Sequence, residues 1–159
     1  MAAIAAQAGL TPPSVYRYFP DAAAVIRTVA SEMLDVIHSE LAANLRDIDS
    51  VDSAKAALRK SLRTYHRRFV HDRALRELWA GTFATPELVA LNIADSRRTG
   101  TFIAAAIAPW SSVDRVTLRT RAFLIVHFTG AGIALVLESP PAESKRLLRE
   151  MEQLLDTLF

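Results

Sequence analysis

The chain has 159 residues, a length that suits one compact domain or a small module joined to a larger one. Hydrophobic residues make up 51% and charged residues 23%, a globular composition that excludes wholesale disorder. The sequence contains no cysteine, which excludes disulfide frameworks, cysteine-based zinc sites, iron–sulfur clusters and thiol nucleophiles. The formal net charge of +2 does not by itself indicate a nucleic-acid partner, so only the local distribution of charge is informative.

No segment has the pattern of a targeting signal or a membrane span. The first ten residues carry no basic side chain, whereas a secretory signal peptide begins with a positively charged region. The most apolar run covers about 16 residues, 122–137, and a helix needs about 20 to cross a bilayer. The sequence therefore predicts a cytoplasmic protein with no membrane partner, in which this run forms a buried helix.

Apolar residues recur at helical spacing along the chain, and this pattern predicts an all-α fold of about eight helices. A first helix over 2–8 ends at Gly9, a residue that readily adopts the left-handed conformation of a helix cap. Thr11 is placed to cap a short second helix over 12–19, which begins with two prolines and ends before Pro20.

Polar residues separate the third, fourth and fifth predicted helices. Asp21 caps a third helix whose apolar face continues to Leu41. A polar connector over 47–52 precedes a fourth helix, which breaks near His71, and a fifth helix is expected over 73–83.

Three further helices complete the chain. Thr85, followed by proline, begins a sixth helix that extends to about Ile107. After a loop at 109–112, a seventh helix covers about 114–138 and contains the apolar run. Prolines at 140–141 break it, and an eighth helix carries a leucine-rich face.

The first 20 residues have the outline of a helix-turn-helix, in which the second helix enters the major groove of DNA. No acidic residue occurs there to repel phosphate. Hydrogen-bond donors and one cation crowd about two turns: Thr11, Ser14, Tyr16, Arg17 and Tyr18. Spacing alone leaves two interpretations open, DNA binding and an ordinary helical hairpin with exposed aromatic residues.

The residues themselves favour DNA binding. From Ile4 to Pro20 the chain reads IAAQAGLTPPSVYRYFP. This stretch resembles the DNA-binding signature of the tetracycline-repressor-like family: Ile-Ala, two residues, Ala-Gly-Val, Ser or Thr, two free positions, Ser or Thr-Leu-Tyr, one position, His or Tyr-Phe and a turn. The match covers about 20 residues, and the remaining chain resembles the family only in architecture and length.

The resemblance implies the role of each residue at the matching positions. Thr11, Ser14, Tyr16, Arg17 and Tyr18 fall where the family contacts phosphates and bases. Pro12 and Pro13 hold free positions that often face base edges, where a side chain without a donor makes only apolar contacts, such as one with a thymine methyl group.

The resemblance also implies a domain organisation and a function. Residues 1–45 would form the DNA-binding region and its linking helix, and residues 46–159 the effector-binding and dimerisation domain. The implied protein is a non-enzymatic regulator, a repressor that binds a double-stranded DNA operator as a homodimer. A small-molecule effector would favour a half-site spacing that no longer fits the operator.

Two departures from the family pattern keep a second interpretation open. The family usually has a full helix before this motif, and that first helix is apparently missing here. Ala22 stands where the family usually has a lysine that neutralises phosphate. The alternative is a helical ligand-binding or protein-interaction module with a degenerate, non-functional DNA-binding motif.

Basic residues on the fourth helix have two interpretations. Lys55, Arg59, Arg63 and Arg67 repeat every four residues and share one helix face. This face could bind an anion or the DNA backbone, but we favour a solvated face paired with acids such as Asp47, Asp49 or Glu77. No metal-ligand spacing, nucleophile motif or phosphate-binding loop occurs, so neither a metal, a cofactor nor an enzyme is expected.

Aromatic residues at helical spacing are usually plain core, but the resemblance raises the prospect of an apolar effector cavity. His127, inside the most apolar run, is either a hydrogen-bonded core histidine or a polar group of this cavity, and Phe128 is a further aromatic candidate. The predicted ligand-binding residues are Trp79, Phe83, Phe102, Trp110, Phe123 and His127.

The last two helices are predicted to form a homodimer interface. The seventh helix is apolar nearly all round between Ala122 and Leu137, so it needs cover on every side. A two-fold interface of two helices from each subunit would supply this cover, although both helices could instead complete a monomeric core. The predicted interface residues are Gly130, Gly132, Leu147, Met151, Leu154 and Leu158.

Overall fold

The computed structural model describes residues 1–81 and 85–159, and within them the chain is all-α, as predicted, with no strand. Eight α-helices follow one another: α1 (Ala2–Gln7), α2 (Pro12–Tyr16), α3 (Ala22–Asn44), α4 (Val51–His71), α5 (Arg73–Gly81), α6 (Pro86–Ile107), α7 (Arg115–Glu138) and α8 (Pro141–Leu154). Short 3₁₀ turns follow α6 at Ala108–Trp110 and α8 at Leu155–Leu158.

Side-chain caps fix where the long helices begin. Asp21 accepts a hydrogen bond from the Ala24 N–H at 2.6 Å, and Thr85 accepts one from the Leu88 N–H at 3.3 Å. Asp114 accepts from both Val116 and Thr117 at 3.0 Å. These contacts satisfy amides that have no partner within the first helical turn, so the predicted starts of α3, α6 and α7 are confirmed.

The second helix is shorter than the sequence predicted. The second helix ends at Tyr16 and not near Phe19, since the Tyr18 and Phe19 amides both bond to the Val15 carbonyl in a tight turn. The predicted end of the fifth helix, at Phe83, lies outside the described residues.

Helices α6 and α7 pack closely at the centre of the fold. A Cβ atom on Gly100 would lie 2.6 Å from the backbone nitrogen of Phe123, so glycine permits the two helix backbones to touch. Ile107, Leu118 and Ile133 are fully buried at this junction, and their burial supplies much of the driving force for packing. The core extends from this pair to α3, α4, α5 and the turn at Leu155–Leu158.

Ion pairs confirm in part that the basic face of α4 is paired with acids, because two of its four residues form them within the described part of the chain. Arg59 contacts both carboxylate oxygens of Asp156 at 2.8 and 2.9 Å, and Arg63 contacts those of Glu152 at 2.6 and 2.9 Å. Neither partner is one of the acids that the sequence suggested. Glu77 pairs with Arg73, but the carboxylate of Asp49 instead accepts a hydrogen bond from Ser50 at the start of α4.

Helix α7 is longer than the apolar run over 122–137 from which the sequence predicted that no membrane span is present. It has 24 residues, and by length and composition it could cross a membrane, so the expectation that this segment is too short is wrong. It packs against α6 and α8, yet only 22% of its most apolar window is buried. Much of this helix therefore presents apolar side chains that its own chain does not cover.

Candidate functional site

The turn between α1 and α2 is held by glycine in the left-handed conformation. Gly9 has φ +66°, and the flanking amides form the paired bonds of a Schellman motif, Leu10 N–H to Ala5 C=O at 2.9 Å and Gly9 N–H to Ala6 C=O at 3.2 Å. Ala5 and Val15 are buried where the two helices meet. This arrangement fixes the direction in which α2 leaves α1.

Every predicted DNA-contacting residue is exposed: Thr11, Pro12, Pro13, Ser14, Tyr16, Arg17 and Tyr18. Tyr16 and Tyr18 are 52% and 73% exposed, so both phenol rings are accessible to a partner. Arg17 forms no ion pair with the described residues. One short helix and its end therefore present two phenols and a free guanidinium to solvent.

The prolines shape what this surface can bind. Pro12 and Pro13 occupy the first two positions of α2 and have no N–H, so the helix start offers no amide donor there. The hydroxyls of Thr11 and Ser14 lie 2.9 Å apart and hydrogen-bond to each other. The first turn of α2 therefore presents mainly side-chain groups to solvent.

A separate cavity of about 120 Å³ lies within the helical core, between α3, α4, α6 and α7. Trp79 of α5 forms one wall and stands edge-on to Tyr65, with ring centroids 6.4 Å apart. The other apolar walls are aliphatic: Leu34, Ile37, Leu58, Leu62, Ile103, Ile125, Val126 and Leu155. A pocket of this kind, enclosed by helices and mostly apolar, is the usual form of a small-molecule site.

Helix α6 contributes a polar stripe to this cavity. Asn92, Asp95, Ser96 and Thr99 recur at helical spacing and all line it. Ser96 donates to the Asn92 carbonyl at 2.8 Å, and Thr99 lies 3.4 Å from Nδ1 of His38 on α3. The stripe gives a mostly aliphatic cavity one wall that can hydrogen-bond a ligand.

Charges near the cavity shift the acidity of several groups. Burial raises the pKa of Asp95 above its usual value, Arg98 opposes this rise and Asp35 adds to it. Burial also raises the pKa of Tyr65, with a further rise from the negative charge of Asp95. His38 has a lowered pKa, because burial and the charge of Arg98 both disfavour its protonated form, although Asp35 opposes them.

Of the six predicted ligand-binding residues, Trp79 lines the cavity, and Phe83 lies outside the described residues. The aromatic rings of Phe102, Trp110 and Phe123 do not contribute to the lining. Phe102 stacks on His38 at 5.0 Å, Trp110 packs on the core in the turn after α6, and Phe123 lies beneath the Arg97 guanidinium at 4.7 Å.

His127 lies one step from the cavity. Its Nδ1 atom is 3.1 Å from the Ser96 hydroxyl, which itself lines the cavity. It is thus a hydrogen-bonded, half-buried histidine that orients a lining residue. Four lining residues were not predicted, although their i, i+3, i+4, i+7 spacing places them on one face of the helix: Asn92, Asp95, Ser96 and Thr99.

The predicted interface residues differ in how far the chain's own core covers them. Gly130 faces Trp79, and Leu158 is 1% exposed, so both are used within the chain's own core. Gly132 lies against Met151, which packs α8 onto α7, and Leu147 is half-buried. Leu154 is 56% exposed. The outward surface of α7 is instead formed by Leu124, Phe128 and Leu135.

No metal site accompanies these features within residues 1–81 and 85–159, where no three histidine, aspartate or glutamate side chains are grouped to hold an ion. Comparison with known proteins gave one finding. A family described as tetracyclin repressor-like, C-terminal domain, matches residues 52–158. No curated protein and no solved structure matches the chain.

Proposed function

Because the chain belongs to the tetracycline-repressor-like family, we propose that it is a cytoplasmic, ligand-responsive transcriptional repressor that binds operator DNA as a homodimer. Members of this family are regulators that bind DNA and act without catalysis. In this proposal α2 contacts double-stranded DNA, the cavity binds a small-molecule effector, and neither a metal nor a cofactor takes part. The DNA-contacting residues would be Thr11, Pro12, Pro13, Ser14, Tyr16, Arg17 and Tyr18.

One observation carries the proposal: α3 extends from the DNA-binding region to the cavity. It begins at Ala22, directly after the turn that follows α2, and its Leu34 and Ile37 line the cavity. At 1.5 Å per residue, its 23 residues span about 35 Å. A ligand that displaces the cavity wall would therefore move a rigid helix that the turn at 17–21 joins to α2, and in this proposal that movement couples the two sites.

Residues on the outward face of α7 support the homodimer. Leu124, Phe128 and Leu135 lie on one stripe at spacings of four and seven residues, and each is more than 40% exposed. Apolar stripes of this size on a soluble protein usually mark an interface. We place the dimer interface on this stripe together with Leu154, and not on Gly130 or Leu158.

A DNA selection tests the proposal. The full-length protein is used to select from random double-stranded DNA, and affinity for the enriched sequence is then measured by fluorescence anisotropy at fixed salt. We expect Arg17→Ala to weaken binding by about 1–3 kcal/mol if the guanidinium reads a base, and to relax preference at that position. Tyr16→Phe tests the phenol. Arg46→Ala, an exposed arginine in the turn after α3, serves as the matched control.

The alternative, a ligand-binding module whose motif no longer binds DNA, is supported by exposed apolar side chains around the motif. Ile4, Leu10, Ile26 and Val29 are 37–53% exposed, so the small core of α1 and α2 is thinly covered. Failure to enrich any sequence would favour this alternative, whereas unchanged affinity in both Tyr16→Phe and Arg17→Ala would remove these two residues from the proposed DNA contacts.

A further inference from the structure

The cavity holds one charged side chain, and that charge is negative. Among the described lining residues Asp95 is the only acid, and the lining contains no lysine, arginine or histidine. Its carboxylate lies 3.3 Å from Arg98, but the same guanidinium also contacts Asp35, at 2.8 Å. Two carboxylates therefore share one cation, and the group carries a net charge of −1.

Two further polar groups of the lining, an amide and a phenol, are unpaired within residues 1–81 and 85–159. The Asn92 carboxamide and the Tyr65 hydroxyl form no hydrogen bond with the described residues, and Asn92 is only 4% exposed. Neither group is fully enclosed, because every fully enclosed side-chain nitrogen or oxygen atom in the described part of the chain has a partner. The Asn92 amide and the Tyr65 phenol are therefore available to hydrogen-bond a ligand. Such a bond would remove the free-energy penalty that an unpaired polar group carries in the interior.

We propose that this cavity binds a small molecule that carries a protonated amine on an apolar body of about one six-membered ring. The ammonium donates hydrogen bonds and accepts none, so it matches the carboxylate of Asp95 and the oxygens of Asn92 and Tyr65. The aliphatic walls and Trp79 cover the body. A cavity of about 150 Å³ is known to hold benzene; this one is smaller, about 120 Å³, but is open to solvent on one side, so a ligand of that scale would be only partly enclosed.

This inference rests on the proposed function only in taking the cavity as the effector site. The charge decides the ligand class, because a carboxylate ligand would be repelled by the net negative charge that Asp35, Asp95 and Arg98 carry together, and a neutral alcohol would not compensate that charge.

The experiment compares two probes of one shape, benzylamine and benzyl alcohol, on the full chain at neutral pH. Trp110→Phe removes the tryptophan outside the cavity, so fluorescence reports Trp79. We expect benzylamine to bind about tenfold or more tightly than benzyl alcohol, by fluorescence and by calorimetry. Asp95→Asn should abolish this preference with benzyl alcohol changed less than about twofold, and Asp95→Glu should retain it. Asp47→Asn, the same substitution at an exposed connector residue, should change neither affinity.

Equal binding of the two probes, unchanged in Asp95→Asn, would overturn the amine assignment and leave the proposed function intact, because a neutral effector could still release the operator. Absence of binding by both probes would also overturn the inference. The proposed function as a DNA-binding regulator would then be tested by the DNA selection alone. The comparison of probes on the unsubstituted cavity stands even if Asp95→Asn fails to fold.

Discussion

Gly100, Gly130 and Gly132 each lie against atoms of another helix, and they differ in which atoms an added methyl group would displace. At Gly100 it would meet the Phe123 backbone, at Gly130 the ring of Trp79, and at Gly132 the mobile end of Met151, 2.8 Å from Cε. We expect Gly100→Ala and Gly130→Ala to lower the free energy of unfolding by about 1–3 kcal/mol, because backbone and a packed ring must shift. Urea denaturation measures this.

Gly132→Ala is the matched control for that pair. The Met151 side chain can swing away, and alanine favours a helix over glycine by about 1 kcal/mol, so we expect little net change. A large loss at Gly132 with none at Gly100 would contradict the packing described for α6, α7 and α8.

His38 and His66 couple stability to pH. Burial lowers the pKa of both in the folded protein below the value of 6.5 expected for the unfolded chain, and Arg98 lowers that of His38 further. The unfolded chain therefore takes up protons first as the pH falls. The stability contributed by the two neutral histidines is complete above about pH 6.5 and is lost progressively below it.

We therefore expect the urea midpoint of the unsubstituted protein to fall between about pH 7.5 and 5.5 more steeply than that of His38→Gln/His66→Gln. His71→Gln is the control, since this residue is exposed at the end of α4. Parallel pH profiles for the unsubstituted protein and the double variant would contradict the assignment.

At the scale of single elements, a capping box fixes the start of α4. Ser50 accepts a hydrogen bond from the Ser53 N–H at 3.1 Å, and the Ser53 hydroxyl accepts one from the Ser50 N–H at 3.0 Å. We expect Ser50→Ala to lower the free energy of unfolding by about 0.5–2 kcal/mol, measured by urea denaturation. Ser39→Ala, inside α3, should change it little, because that hydroxyl bonds only to the Asp35 carbonyl in its own helix.

The starts of α3, α6 and α7 could be predicted from the sequence because each depends on a few adjacent residues, whereas α4 begins at Val51, inside the connector predicted over 47–52. Asp21, Thr85 and Asp114 each offer an oxygen to amides within three positions, and no distant contact is needed. The end of α2 depends on how the turn before α3 packs, and the sequence placed it three residues too late. Local chemistry decides the first kind of boundary and tertiary packing the second.

The cavity was harder to predict than the helices that enclose it. Periodicity shows that Asn92, Asp95, Ser96 and Thr99 share a face of α6, but polar faces normally point to solvent. Only the packing of α3 and α4 over that face turns it inward. Of the predicted aromatic residues, Trp79 lines the cavity, but Phe102, Trp110 and Phe123 lie elsewhere, since their positions around each helix axis depend on helix crossings that a sequence pattern does not specify.

For the whole molecule, the exposed apolar stripe on α7 predicts that two copies of the chain form a dimer. A two-fold interface built on Leu124, Phe128 and Leu135 would bury an apolar surface expected to exceed about 1,000 Å². We expect sedimentation at micromolar concentration to show a dimer. Phe128→Asp, in the middle of the stripe, should give a folded monomer, because a desolvated carboxylate would face the partner without a counterion.

Val116→Asp is the control for that substitution. Val116 is 77% exposed on the same helix but is rotated away from the stripe, and an acid in the first turn of a helix is favourable. It should leave the dimer intact. A monomer in the unsubstituted protein would remove the paired half-sites on which the repressor mechanism depends. A dimer lost in Val116→Asp but kept in Phe128→Asp would instead move the interface to the start of α7, away from α8.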